Sequence, residues 1–349
     1  MTVPRCVVNT DRRPERVPEP AGVDVLRFHE ALPGYRPTPL HTLQVAGADV
    51  HVKDESDRFG LPAFKILGAS WAVERALAAD PATTMLVAAS AGNHGRAVAR
   101  AAAQRGVACR ILLPRAVSRA RADLIIGEGA QVTRVDGDYD AAVAAAGRAA
   151  GEVGVAVISD TGTAPSASWV VDGYTTLFRE AAAQAAGPFG VVIVPIGVGS
   201  LAASAVRVAS HQRPPAAVIG VEPVAAACVT ASLAAGRPVT VATQGTALAG
   251  MDCATPSAAA WPVLRAGLTG TITVRDSEAH GAMRDLAHHG IVAGDCGAAT
   301  LAALHVLSDD GCCGTLRDVT RFDRSTRVLC VSSEGASDPV TYAAIVGSR

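Results

Sequence analysis

Apolar and polar positions along this chain fall into two alternating rhythms, one of short apolar runs and one of Ala-rich stretches with helical spacing. Between residues 84 and 186 the runs at 85–89, 108–113, 131–135 and 155–159 read as strands, with helices at 94–105, 118–127 and 139–151 between them. Strands separated by helices pair in parallel, through right-handed crossovers. A helix near 174–186 leads to the run 191–196, whose unbroken apolar character suits a strand buried on both faces. A second set follows: helix 200–210, strand 217–222, helix 225–235, strand 270–274, helices 277–289 and 298–307, and strand 327–332. Ahead of both sets lie a helix at 24–32, strands at 42–45 and 49–53, and a helix from Lys65 to about residue 79, stopped by Asp80-Pro81. Residues 1–21 are polar and Pro-rich and read as an arm; residues 309–326 read as a loop. The pattern predicts an α/β protein with parallel sheets.

Composition narrows the class. At 349 residues the chain has room for roughly two domains. A formal net charge of −1, with no basic stripe or acidic tail, speaks against nucleic acid or a membrane surface as partner. The N-terminal stretch has no apolar signal core, and no run approaches the ~18 uninterrupted apolar residues of a membrane helix, so a cytoplasmic protein is expected. The eight cysteines contain no Cys-x-x-Cys pair, so no metal centre is expected, and most read as small buried hydrophobes. A bond between Cys228 and Cys253 is the one disulfide weighed.

Only two of the 31 basic residues are lysines, Lys53 and Lys65. Lys65 stands between Phe64 and Ile66, three residues after Pro62, where a helical pattern begins. There the helix dipole and apolar flanks disfavour the ammonium form, and a neutral amine, unlike a guanidinium, can condense with an aldehyde. The plainer reading is a surface lysine lying along apolar neighbours. Gly197, Val198, Gly199, Ser200 and Leu201 join the apolar strand to the next helix, with glycines for a tight turn and helix N–H groups for a phosphate. The same segment, Gly197-x-Gly199-x-x-Ala202 with Glu222 ending the next strand, also fits a dinucleotide fingerprint. Ser90, Ala91, Gly92, Asn93, His94 and Gly95 close one strand and open a helix. They offer N–H groups, a hydroxyl, an amide and an imidazole to a carboxylate or a phenolic oxygen, or else form an ordinary capped turn. Ser332 and Ser333 follow the last apolar strand, where a hydroxyl can face a pyridine nitrogen or merely close a turn. Asp160, with Thr161, ends the fourth strand of the first set as a helix cap or a site acid.

Together these segments resemble the pyridoxal-phosphate enzymes of fold type II, and among them the diaminopropionate ammonia-lyases. The pieces that carry the resemblance are FHEALPGYRPTPL at 28–40, KDESDRFGLPAFKILG at 53–68, GNHG at 92–95, SDT at 159–161, the 197–201 loop, GVEP at 220–223, GMDCATP at 250–256 and SSEGASDP at 332–339. The resemblance implies two three-layer domains with pyridoxal 5′-phosphate in the cleft between them, a large one of residues 22–83 and 187–349 and a small mobile one of residues 84–186. It implies that Lys65 is the Schiff-base lysine and that Asn93 holds the cofactor's 3-hydroxyl. The 197–201 loop would hold the phosphate, Ser333, or else Ser332, would face the ring nitrogen, and Asp160 would be an active-site acid. Phe64 and Glu222 join the expected cofactor contacts; Ser90, Ala91, Gly92, His94 and Thr161 are the expected substrate contacts. Ala91 departs from the pattern, because the family usually carries there an Asp that serves as a second base opposite the lysine, and Pro62 stands where Asn is usual. The implied activity is α,β-elimination, by a homodimer, on a small L-amino acid with a β leaving group, such as 2,3-diaminopropionate, giving pyruvate and ammonia. Alternatives are dehydration of serine or threonine, β-replacement on an activated serine, nicotinamide-dependent oxidation through the Gly197 loop, and a non-catalytic binding role.

Overall fold

In the computed structural model, which describes residues 3–347 apart from Ala46 and Asp310, two sheets form the framework. The strands are β1 (Cys6–Val8), β2 (Leu40–Val45), β3 (Ala48–Asp54), β4 (Met85–Ala89), β5 (Ala108–Pro114), β6 (Gln131–Val135), β7 (Val155–Val157), β8 (Val191–Pro195), β9 (Ala217–Pro223), β10 (Gly270–Val274) and β11 (Arg327–Ser332). The four-stranded sheet runs β6-β5-β4-β7 and is parallel throughout. The seven-stranded sheet runs β1-β10-β9-β8-β11-β3-β2, parallel from β10 to β3 and antiparallel at its two edges. The apolar run that predicted a doubly buried strand is β8, at the centre of that sheet, with all five residues buried. Successive side chains alternate across it: Val192 and Val194 belong to the core on the side of the Ser200–His211 helix, Val191 and Ile193 to the core that holds Leu301 and Leu304 of the Asp295–Ser308 helix. Helices therefore cover both faces, as an α/β fold requires.

The core on the Lys65 side is continuous between the two sheets, joining Leu86 and Ile111 to Leu67, Val73 and Val194. It is tightly closed where the Lys65–Ala79 helix meets the Pro165–Gly173 helix. A Cβ on Gly68 would lie 2.5 Å from the Tyr174 ring, and one on Gly173 would lie 2.4 Å from the Leu67 carbonyl oxygen. The absence of those two side chains lets the Tyr174 ring meet Phe64 edge-on, with centroids 4.7 Å apart.

Several expectations are corrected. Part of the N-terminal arm is a strand: Cys6–Val8 pairs antiparallel with β10, and Arg5 binds Glu278 at 2.5 Å. Three residues in a Pro-rich stretch carry no readable period, and it is the open edge of β10 that makes them a strand. The expected loop 309–326 contains a short helix, Gly314–Thr320, seated by buried Leu316. The helices Pro165–Gly173, Trp261–Gly267 and Pro339–Val346 were not anticipated; each has a proline in its first turn, where proline starts a helix rather than breaking one. Cys228 and Cys253 are both free, and the disulfide instead joins Cys6 to Cys313, 307 residues apart. That pairing follows from β1 lying beside the Gly314 helix, a contact no cysteine spacing encodes. Among the described residues no helix is long and apolar enough to cross a membrane.

Gly173→Ala should lower stability by about 1–3 kcal/mol through overpacking at the helix crossing, read as a lower urea midpoint at unchanged slope. Gly147→Ala is the control: it lies within the Tyr139–Ala149 helix, its Cβ would meet nothing within 4 Å, and the midpoint should hold or rise.

Candidate active site

The expected residues converge at the carboxyl ends of parallel strands from both sheets, where α/β proteins place ligands. Ser90 to Gly95 follow β4, Asp160 follows β7, Gly197 to Leu201 follow β8, and Ser332 and Ser333 close β11. Lys65 Nζ lies 2.8 Å from Asp160 Oδ2, across 95 residues of sequence. The Asp160 carbonyl accepts a hydrogen bond from Ser200 Oγ at 2.7 Å, tying the glycine loop to the same point. Phe64 N–H donates to the Ser333 carbonyl at 3.3 Å, which brings the late serines beside the lysine. Lys65 Nζ also sits 5.3 Å from the Phe64 ring centroid and 6.0 Å from that of Tyr174.

The charge state of Lys65 differs from the sequence expectation. Burial pulls its pKa down, as the apolar flanks suggested, but the Asp160 carboxylate outweighs burial and holds the amine well above its ordinary range. Burial in turn raises the Asp160 carboxyl, and His94 and Lys65 overcome it, leaving Asp160 far below the usual carboxylate range. The two groups thus favour each other's charged forms. Sequence neighbours could not report this, because the deciding charge arrives from another sheet.

The segment before Lys65 is mounted on buried charges. Phe59 has φ 56° and Gly60 φ 76°, in a tight turn closed by Arg58 N–H to the Leu61 carbonyl at 2.9 Å and Leu61 N–H to the Arg58 carbonyl at 3.1 Å. Arg58 is held at 2.6 Å by Glu55 and 2.7 Å by Glu180, and Lys53 meets Glu180 at 2.8 Å. Lys53, the other lysine, is therefore a fully buried structural cation. Sequence reasoning missed this network, since no local pattern connects Glu180 to residues 53–58.

The remaining candidates divide. Gly199 has φ +100° at the entry to the Ser200–His211 helix, and a Cβ on Gly197 would lie 2.8 Å from the Gly250 carbonyl oxygen. Val198, Ser200 and Leu201 continue this turn onto the N–H end of the helix, which suits a phosphate. Ser332 Oγ is buried with no hydrogen-bond partner among the described residues, a free hydroxyl of the kind a ring nitrogen would take. Asn93 Nδ2 donates to Glu334 Oε2 at 2.7 Å; Glu334 is a residue the sequence reading did not single out. His94 Nε2 lies 3.2 Å from the Ile158 carbonyl, its Nδ1 3.9 Å from Asp160 Oδ2, and burial lowers its pKa. Ser90 Oγ accepts from Gly92 N–H at 3.3 Å, and Ser159 Oγ accepts from Thr161 N–H at 3.2 Å, so both turns are shaped by their own hydroxyls. Ala91 packs partly buried against the core. Glu222 is a correction. Its carboxylate is fully buried and accepts from Val229 N–H at 2.8 Å, Thr230 N–H at 2.7 Å and Thr230 Oγ1 at 2.6 Å, capping the Cys228–Ala235 helix. Its oxygens are thus engaged within the protein, at the start of that helix, and not exposed as a ribose-binding acid would be.

Comparison with known proteins agrees with this geometry. Residues 31–334 match the family model described as pyridoxal-phosphate dependent enzyme. The chain is 34% identical over 369 aligned residues to diaminopropionate ammonia-lyase of Salmonella typhimurium, covering 93% of this chain and 91% of that one. Its fold is similar to that of Escherichia coli diaminopropionate ammonia-lyase in complex with an aminoacrylate-PLP azomethine reaction intermediate, with TM-score 0.87, 30% identity, and 98% and 96% of the two chains covered. The same enzyme in complex with D-serine gives TM-score 0.86, 30% identity and the coverage 98% and 96%. A lysine and a phosphate-fitting glycine loop brought together at Asp160, within a match that spans most of the sequence, make this chain a member of the pyridoxal-phosphate-dependent enzymes, of fold type II.

Proposed function

We propose that this chain is a lyase that eliminates the β-amino group of L-2,3-diaminopropionate, giving pyruvate and ammonia. The observation that carries this is the 2.8 Å contact between Lys65 Nζ and Asp160 Oδ2, which puts a base for the Cα proton and a carboxylate for the β substituent side by side. Pyridoxal phosphate, when bound, supplies the sink for the charge that develops at Cα. The 197–201 loop holds its phosphate, Asn93 its phenolic oxygen, Phe64 flanks it, and Ser333 or Ser332 faces its ring nitrogen. Of the two serines, Ser332 has the hydroxyl left unpartnered among the described residues. Once Lys65 is no longer an ammonium, Asp160 is a buried carboxylate without its cation, and a substrate β-ammonium replaces that charge. A neutral β-hydroxyl gives no such compensation, which supports diaminopropionate over serine or threonine. The Lys65 amine, freed as substrate binds, takes the Cα proton, and Asp160 binds the departing amine. Ser90, Gly92, His94 and Thr161 border the substrate from the β4 and β7 ends. Ala91 brings no titratable group to the face opposite the lysine, so the proton is removed from one side only. The resemblance implies a cytoplasmic homodimer.

Three outcomes are expected. Lys65→Ala should abolish both turnover and the visible absorbance of the bound cofactor. In cofactor-free Asp160→Asn, burial should outweigh what remains: removing the carboxylate lowers the Lys65 pKa, so acylation of Lys65, followed by peptide mass spectrometry, should reach half-extent at lower pH than in wild type. In a panel of L- and D-amino acids assayed for pyruvate and ammonia, only L-isomers should turn over; equal rates on D-2,3-diaminopropionate would refute the role given to Ala91.

A further inference from the structure

Glu334 has a place in the fold that its position after Ser333 does not advertise. Its backbone is held on two sides: it bridges to Ala63, two residues before Lys65, and its carbonyl accepts from Gly294 N–H at 3.0 Å. The neighbouring helix start tolerates no side chain there. A Cβ on Gly294 would lie 2.4 Å from the Gly335 carbonyl oxygen, and one on Gly297 would lie 2.6 Å from that of Glu334. From this mount the carboxyl group reaches to the helix that follows β4, where Asn93 Nδ2 donates to Oε2 at 2.7 Å across 241 residues of sequence. Ser337 Oγ supports the same oxygen at 3.4 Å.

We infer that Glu334 is a positioning residue that sets which edge of the Asn93 amide faces the cofactor, an inference that rests on the functional reading above. A primary amide carries two N–H donors on nitrogen and an acceptor on oxygen, and nothing in its shape prefers one edge. As a carboxylate the Glu334 side chain can only accept, so binding Nδ2 pins the nitrogen and leaves its second N–H as the donor on offer. An ionised phenolic oxygen needs that donor; a flipped amide would present Oδ1 and repel it. Glu334 acts through Asn93 and need not touch the ring.

The test uses cofactor-free protein titrated with pyridoxal phosphate, reading affinity and the position and pH dependence of the visible band. Glu334→Ala should weaken binding about tenfold, the scale of one hydrogen bond to a charged group, and move absorbance toward the shorter-wavelength, neutral-phenol form. Glu334→Gln, whose amide can accept from or donate to Asn93, should weaken binding less than Glu334→Ala without restoring the wild-type band. In an Asn93→Ala background, Glu334→Ala should add nothing further. Wild-type affinity and band in Glu334→Ala, or an undiminished effect without Asn93, would overturn the inference. Failure of the wild-type protein to bind pyridoxal phosphate at all would overturn the functional reading, and this inference with it.

Discussion

A single ion pair, Lys65 with Asp160, organises the site. The lysine begins a helix packed beneath both sheets, and the acid ends a strand of the smaller one. Neither charge is well solvated, so each is tolerable mainly because of the other. This pairing explains how a chain can keep an amine buried without neutralising it, and why the acid stays ionised where burial alone would protonate it. It also explains how the site can exchange cations: whatever removes the charge from the lysine leaves a carboxylate ready for another.

Rigidity behind the lysine comes from a second set of charges. Arg58 and Lys53 sit between Glu55 and Glu180, almost wholly out of water. Removing one partner from such a set leaves an unpaired buried charge, so the set defines one arrangement of the turn that leads into Lys65. Of the two lysines, Lys53 belongs to this framework and Lys65 to the candidate site. Close helix contact at Gly68 and Gly173 completes the support by pressing Tyr174 toward Phe64.

Across the mouth of the site, Glu334 and Asn93 join the end of β11 to the helix after β4. The contact joins the segment after β11 to the first residue of that helix. Gly294 and Gly297 make room for the backbone that carries Glu334 to this contact.

What the sequence by itself determined was local and periodic: the strand–helix alternation, the wholly buried β8, the turns that end parallel strands, and the lysine at a helix start. Each depends on neighbours within a few residues, and each motif carries its own backbone chemistry. What only the tertiary structure decided was the set of partners. Glu222 looked like a ligand-binding acid because it ends a strand, yet the helix start at Cys228 takes its carboxylate. Lys65 looked neutral because its sequence neighbours are apolar, yet Asp160 approaches it through space. The Pro-rich arm looked loose, yet the open edge of β10 made a strand of Cys6–Val8. Electrostatic and hydrogen-bond energies depend on distance in space, and a linear pattern records that distance only within one element.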